Sequence, residues 1–201
     1  MDAGRTACNQ FSYTILNREV ETEQQLLQAV LAGESGAGRR LYARYSGQLM
    51  AIALRYMGNG EDAADVLQDA FVKILTHIRR FDYRGEGSLR AWMGRITVNE
   101  ALQSLRQRKW LFHDEPLAEE PPDEVPDVAL VPPEVLTRML GDLPEGYRTV
   151  LNLFVFEQMS HREIARQLGI KESTSASQYF RAKRLLAKSI QEYLRDRSQE
   201  L

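Results

Sequence analysis

Apolar residues recur along this chain at spacings of three and four, the period of helices laid on one buried side, and no run alternates as a half-buried strand does. The run 61–78 (EDAADVLQDAFVKILTHI) is the clearest case. Ala64, Leu67, Phe71, Ile74 and Ile78 make an apolar stripe, with Asp62, Asp65, Gln68 and Asp69 on the other side. The run 88–109 is less regular. Leu89, Trp92, Met93 and Ile96 form the buried side of its first half, and Val98, Ala101, Leu102 and Leu105 lie on nearly the opposite side of its second. One polar line, Arg95, Asn99, Gln103 and Arg106, persists through that change of face. Glycines punctuate the pattern: Gly33, Gly36 and Gly38 part a first helix from a second, Gly58-Asn59-Gly60 ends the second, and FDYRGEGS at 81–88 is a turn-rich break before the fourth.

Segment 110–133 holds six of the seven prolines. Proline lacks a backbone donor and disfavours a helical residue before it, which predicts an extended linker. Beyond it, Ser160-His161-Arg162-Glu163 fits a capping box, in which the serine hydroxyl and the glutamate carboxylate each satisfy the other's backbone N–H. A short helix with Ile164, Ala165 and Leu168 inward ends at Gly169, and a longer one starts at about 172, the pattern of a helix-turn-helix. On the second helix Ala182, Leu185, Leu186, Ile190 and Tyr193 share one side, opposite Ser173, Ser177, Arg181, Arg184 and Lys188. The expected fold is all-α. A tail (1–20) precedes an N-terminal helical bundle (21–109), and a proline-rich acidic linker (110–133) joins it to a C-terminal helix-turn-helix bundle (134–201). Each bundle is small enough to be only marginally stable by itself.

Composition narrows the classes. With 43% hydrophobic and 27% charged residues the chain reads as soluble, and no stretch approaches the roughly 18 consecutive apolar residues of a spanning helix. Residues 1–20 lack the basic start and apolar run of a secretory leader, and Cys8, the single cysteine, excludes an internal disulfide and fits a reducing, cytoplasmic setting. His77, His113 and His161 lie far apart, so no metal is expected. No Gly-rich phosphate loop and no nucleophile with a base at readable spacing is present, so neither a cofactor nor a catalytic site is expected.

The net charge of −2 conceals a partition: −1 over 1–83, +4 over 84–109, −9 over 110–145 and +4 over 146–201. Two basic segments flank an acidic one. Asp69 repels Asp65 one turn away, and an acidic face kept at that cost predicts a basic partner. Arg, Asn and Gln are the residue types that bond base edges in pairs, which makes the 95–106 line a candidate nucleic-acid contact. Aromatics and an arginine beside glycines at 81–88 are suited to hold an unpaired base by stacking. The Ser173 to Lys188 stripe sits where a helix-turn-helix reads a major groove. Two other readings remain open on residues alone: a helix-turn-helix regulator that binds a palindrome without other machinery, and a helical interaction protein that never touches DNA.

Taken together, the segments LYARYSGQLMAIALRYMGN, DAADVLQDAFVKIL, FDYRGEGSLRAWMGRITVNEAL, LPEGYRTVLNLFVFEQMSHREIARQLGI and STSASQYFRAKRLL resemble the extracytoplasmic-function sigma factors of the sigma-70 family, over about 21–197. The resemblance implies an RNA polymerase subunit that selects promoters and nucleates melting at the −10 element. It implies core-polymerase contacts at Asp65, Gln68, Asp69 and Phe71. It implies −10 contacts at Tyr83, Arg84, Ser88, Trp92, Arg95, Asn99, Gln103 and Arg106, with one base flipped into a pocket. It implies −35 contacts at Ser173, Thr174, Ala176, Ser177, Gln178, Phe180, Arg181 and Arg184. The linker resembles one threaded near the polymerase active centre and RNA exit channel. The expected partners are core RNA polymerase, promoter DNA and an anti-sigma factor, with no membrane insertion and a monomeric free chain. The chain departs from the family's commoner form at Ser175, where an aliphatic residue is usual, and at Ala176 and Gln178, where basic residues are frequent.

Overall fold

The computed structural model describes residues 21–107 and 128–199, and these carry helices and turns without a strand. The N-terminal half contributes α1 (Glu23–Leu31), α2 (Ala37–Met57), α3 (Gly60–His77), a short 3-10 turn (Ile78–Arg80) and α4 (Ser88–Gln107). The C-terminal half contributes a 3-10 turn (Val128–Leu130), α5 (Pro133–Gly141), α6 (Glu145–Val155), α7 (His161–Leu168) and α8 (Glu172–Gln199). The all-α expectation stands. The linker lies mostly outside the described residues, as do the tail, Cys8 and His113.

Local chemistry sets the helix ends. The Thr22 hydroxyl accepts from the Gln25 N–H while the Gln25 side chain accepts from the Thr22 N–H, a capping box that starts α1. Asn59 caps α3 by accepting from the Asp62 N–H, and Glu61 and Asp62 face the positive end of that helix. Gly58 closes α2 in the left-handed region at φ 77°.

Three apolar clusters hold the molecule together. In the first, Leu26 and Leu27 of α1, Leu41, Tyr45 and Leu49 of α2, Leu67, Phe71 and Ile74 of α3, and Leu89 and Met93 of α4 pack at one end of the N-terminal bundle. The second crosses between the halves. Ala53, Tyr56 and Met57 of α2, Val66 of α3, and Val98, Ala101, Leu102 and Leu105 of α4 pack with Val150 and Leu153 of α6 and Ile164 of α7. Each fully buried Val, Leu, Ile or Met side chain among these stabilises the packed state by roughly 1.5–3 kcal/mol. In the third, Leu140, Leu143, Leu151 and Ala182 hold α8 against α5 and α6. The switch of apolar face along α4 thus has a plain cause: its first half packs into the first cluster and its second half into the second. One call shifts by a residue. Ala63, not Ala64, is buried on α3, because the inward stripe runs Ala63, Val66, Leu67, Ala70, Phe71 and Ile74.

The seam between the halves is polar where α6 meets the end of α2. Arg148 of α6 is 5% exposed and donates to backbone carbonyls on both sides. Its Nε reaches Tyr56 O at 2.8 Å, Nη2 reaches Met57 O at 3.0 Å, and Nη1 reaches Leu143 O at 2.9 Å and also Gly141 O. One turn on, Asn152 Nδ2 donates to Arg55 O at 2.8 Å. The last carbonyls of α2, which have no partner within their own helix, are therefore satisfied from α6. Burial lowers the Arg148 guanidinium pKa, and the nearby carboxylates of Glu145 and Asp142 oppose that shift.

Candidate nucleic-acid and partner-binding surfaces

The solvent side of α3 exposes Asp65, Gln68 and Asp69 in one acidic strip. Lys73, one turn after Asp69, turns away from it: Nζ donates to Glu100 Oε1 at 2.7 Å and to Gln103 Oε1 at 3.1 Å on α4. Among the described residues no ion pair neutralises Asp65 or Asp69. Val72 (60% exposed) and Leu75 (47%) extend this strip with apolar surface, and the sequence pattern did not single them out. Phe71 lies beneath this strip. It is 7% exposed and packs within the first cluster, its ring 4.6 Å from that of Tyr42, because it continues the apolar stripe of α3. It supports the acidic face from beneath.

The loop before α4 is ordered by its own polar groups. Gly85 and Gly87 take φ of 112° and 88°, where side chains are disfavoured. Ser88 Oγ donates to Gly85 O at 2.6 Å and accepts from Arg84 N at 3.2 Å. Arg84 is exposed and donates from Nε to Asp82 at 3.3 Å, and Tyr83 is half-buried. Phe81 and Trp92 pack with centroids 5.0 Å apart, and Trp92 keeps an accessible side. Along α4, Arg95, Asn99, Gln103 and Arg106 are all exposed, as one line. Beside that line opens a pocket of about 360 Å³ lined by Lys73, His77, Arg80, Trp92, Ile96, Asn99 and Glu100. Trp92 and Ile96 give it apolar surface, Arg80 adds a cation, and Lys73 and Glu100 are paired with one another within it. That suits a flat, unstacked base followed by its phosphate.

The start of α4 depends on a residue that periodicity could not reveal. Glu23, on α1, is 2% exposed, and its carboxylate accepts from Leu89 N and from Tyr45 Oη, each at 3.0 Å. Burial first, then Glu23, pushes the Tyr45 phenol up to about 12.

In the C-terminal half the capping box is present as read. Glu163 N donates to Ser160 Oγ at 3.3 Å, and Ser160 N donates to Glu163 Oε2 at 2.8 Å. The hydrogen bonds from Ser160 hold the Glu163 carboxyl below its ordinary value. Gly169 ends α7 at φ 69°. Ser175 is fully buried, and its Oγ lies 3.0 Å from His161 Nδ1 in place of the back-bond to its own helix that serines often make. A polar pair thus stands where an aliphatic side chain would pack, beside the stacked rings of Phe154 and His161. On α8, Ser173 is exposed, and Ala176, Ser177, Phe180, Arg181 and Arg184 are half-buried. Thr174 (5%) and Gln178 (3%) are buried, the first beside and the second on the stripe that runs Ser175, Gln178, Ala182. Arg181 Nη1 donates to Tyr147 Oη at 3.3 Å. Among the described residues no group of His, Cys, Asp and Glu could hold a metal, and no helix is long and apolar enough to cross a membrane.

Comparison with known proteins matches two family models, Sigma-70 region 2 over residues 41–111 and Sigma-70, region 4 over residues 134–186. The RNA polymerase sigma-H factor of Pseudomonas aeruginosa is 28% identical over 190 residues, which span 88% of this chain and 97% of that protein. The ECF RNA polymerase sigma factor SigM of Mycobacterium tuberculosis is 32% identical over 176 residues, 85% of this chain and 86% of that one. Among solved structures, CnrH in complex with the cytosolic domain of CnrY aligns with a TM-score of 0.42 at 25% identity, covering 83% of this chain and 96% of that one.

Proposed function

Because this chain belongs to the extracytoplasmic-function group of the sigma-70 family, we propose that it directs core RNA polymerase to specific promoters and nucleates melting at the −10 element. The observation that carries the reading is the exposed line of Arg95, Asn99, Gln103 and Arg106 running beside a base-sized pocket, on the same bundle as an unneutralised acidic strip. Asp65, Gln68 and Asp69, with Val72 and Leu75, meet a basic, partly apolar surface of the polymerase. Tyr83, Arg84, Ser88 and Trp92 frame the flipped base, and the line on α4 follows the melted strand. Ser173, Ala176, Ser177, Phe180, Arg181 and Arg184 meet the −35 element, with Thr174 and Gln178 in a supporting position.

The division of labour follows from charge. A chain with net charge −2 attracts duplex DNA weakly, and a tether to polymerase supplies the missing affinity through effective concentration. In this reading the protein works in the cytoplasm, and an anti-sigma factor keeps it from polymerase until needed. Run-off transcription with purified core polymerase on a promoter library tests the proposal. Transcripts from a defined subset of templates, absent without the chain, are expected. Failure of the chain to co-elute with core polymerase would refute it.

A further inference from the structure

The loop that frames the flipped base in this reading is fastened from outside itself. Glu86 sits at its tip between Gly85 and Gly87, which take φ of 112° and 88° and have open space where a Cβ would lie. Arg44 of α2, 42 residues earlier in the chain, reaches that tip: its Nη2 donates to Glu86 Oε1 at 3.3 Å. The same guanidinium turns its other nitrogen to the entry of α1, where Nη1 donates to Glu21 O at 2.6 Å. Its central carbon lies 5.5 Å from the centre of the Tyr45 ring. Tyr45 is buried and held by Glu23, the carboxylate that also receives Leu89 N at the start of α4. Tyr83 joins the group from the other arm of the loop. It packs against the first cluster, and burial, followed by the Glu86 carboxylate, raises its phenol.

An exposed ion pair adds little to global stability, since water screens it and two long side chains lose freedom in making it. Arg44 is therefore poorly placed to hold the fold together and well placed to hold a shape. A planar guanidinium with two nitrogens on two acceptors fixes the direction between them, which a lysine ammonium on its flexible stem does not. A loop ordered in advance loses less freedom when a base enters, and it cannot relax around a base that fits badly.

We infer that Arg44 is a positioning residue for base selection: it spans the entry of α1 and the loop, sets Glu86, and through Glu86 holds Tyr83 in the geometry that admits one base over others. The clamp stands on the contacts around Arg44, and its effect on base choice rests on the promoter reading. Neither Arg44 nor Glu86 has to touch DNA for this.

The test uses the full chain as the parent, Arg44→Lys, Glu86→Gln and the double variant. Hydrogen–deuterium exchange reads the backbone of 82–87. Run-off transcription with core polymerase reads the preference among templates that differ by one base of the −10 element. We expect the loop to exchange at least threefold faster in each single variant and no faster still in the double variant. Base preference should fall at least fivefold, while helicity, melting temperature and affinity for core polymerase stay as in the parent. Parental loop exchange in either single variant, increases that multiply in the double variant, or faster exchange with base preference intact overturns the inference. A lowered melting temperature with equal losses on every template overturns it too, because that is a structural role. If the parent chain transcribes no template selectively, the promoter reading fails instead, and loop exchange still decides the clamp.

Discussion

Removing the Glu23 carboxylate should disturb the proposed −10 surface from some distance along the chain. Glu23 lies at the start of α1, yet its two acceptor contacts fall on Leu89 N and Tyr45 Oη. Leu89 belongs to the first turn of α4, whose N–H groups have no partner inside the helix and carry the positive end of the helix dipole. In Glu23→Ala, two buried polar groups lose their partner at about 1–3 kcal/mol each, so the loss should be about 3 kcal/mol. Glu23→Gln keeps the shape. Its amide oxygen can accept from Leu89 N and its amide nitrogen can donate to Tyr45 Oη, so the packing is kept while the charge and the acceptor for the Tyr45 hydroxyl proton are lost. Charge-assisted bonds are about twice as strong as neutral ones, which puts that loss near 1 kcal/mol. Urea unfolding of the full chain, with a slope of about 2 kcal/mol per molar, should show the midpoint falling by about 1.5 M for alanine and 0.5 M for glutamine. The alanine variant should also open promoters less well in permanganate footprinting, because α4 starts from that contact. If both variants unfold within 0.2 M of the parent, the carboxylate does not anchor α4 and the argument is wrong.

Other consequences are as direct. Asp69→Arg reverses an exposed charge without touching the core, so stability should hold within about 0.5 kcal/mol while affinity for core polymerase, measured by fluorescence anisotropy, falls at least tenfold. Ser160→Ala removes one capping box and should cost the C-terminal half about 1 kcal/mol in thermal unfolding, with no change in the N-terminal bundle's secondary structure. Gly58→Ala should destabilise by more than 2 kcal/mol, since φ 77° and the Arg148 contact both oppose a Cβ, whereas Gly33→Ala, at φ 72° in open space, should cost only about 1 kcal/mol. The Tyr45 phenol is raised from 10.0 to about 12, so its contribution to stability is fully present below pH 10 and is lost as pH climbs through 12. Thermal melts across that window should show a shallower decline for Tyr45→Phe than for the parent.

Much of this architecture was open to inspection in the residue pattern, for a physical reason. Amphipathic periods, caps and glycine stops are local, so α3, α4 and the α7–α8 turn fall close to where the spacing places them, and the Ser160 box and Gly169 cap take the expected geometry. The exposed line on α4 was legible because a polar stripe at helical spacing cannot be buried without partners. What escaped was long-range. Glu23 and Leu89 are 66 residues apart, and Arg148 and Tyr56 are 92 apart. In a linear sequence each looks like an ordinary surface charge. The burial of Thr174 and Gln178 was not legible, because the resemblance assigns positions by motif, whereas burial follows the stripe that faces the neighbouring helices. Ser175 was seen as unusual, but its bond to His161 depends on how closely α7 and α8 cross.

The change of apolar face along α4 also makes its second half depend on the C-terminal helices for cover. Val98, Ala101, Leu102 and Leu105 form a greasy patch that stays dry only while something lies over it. A fragment ending at α4 would therefore turn that patch to water and self-associate, where the full chain does not.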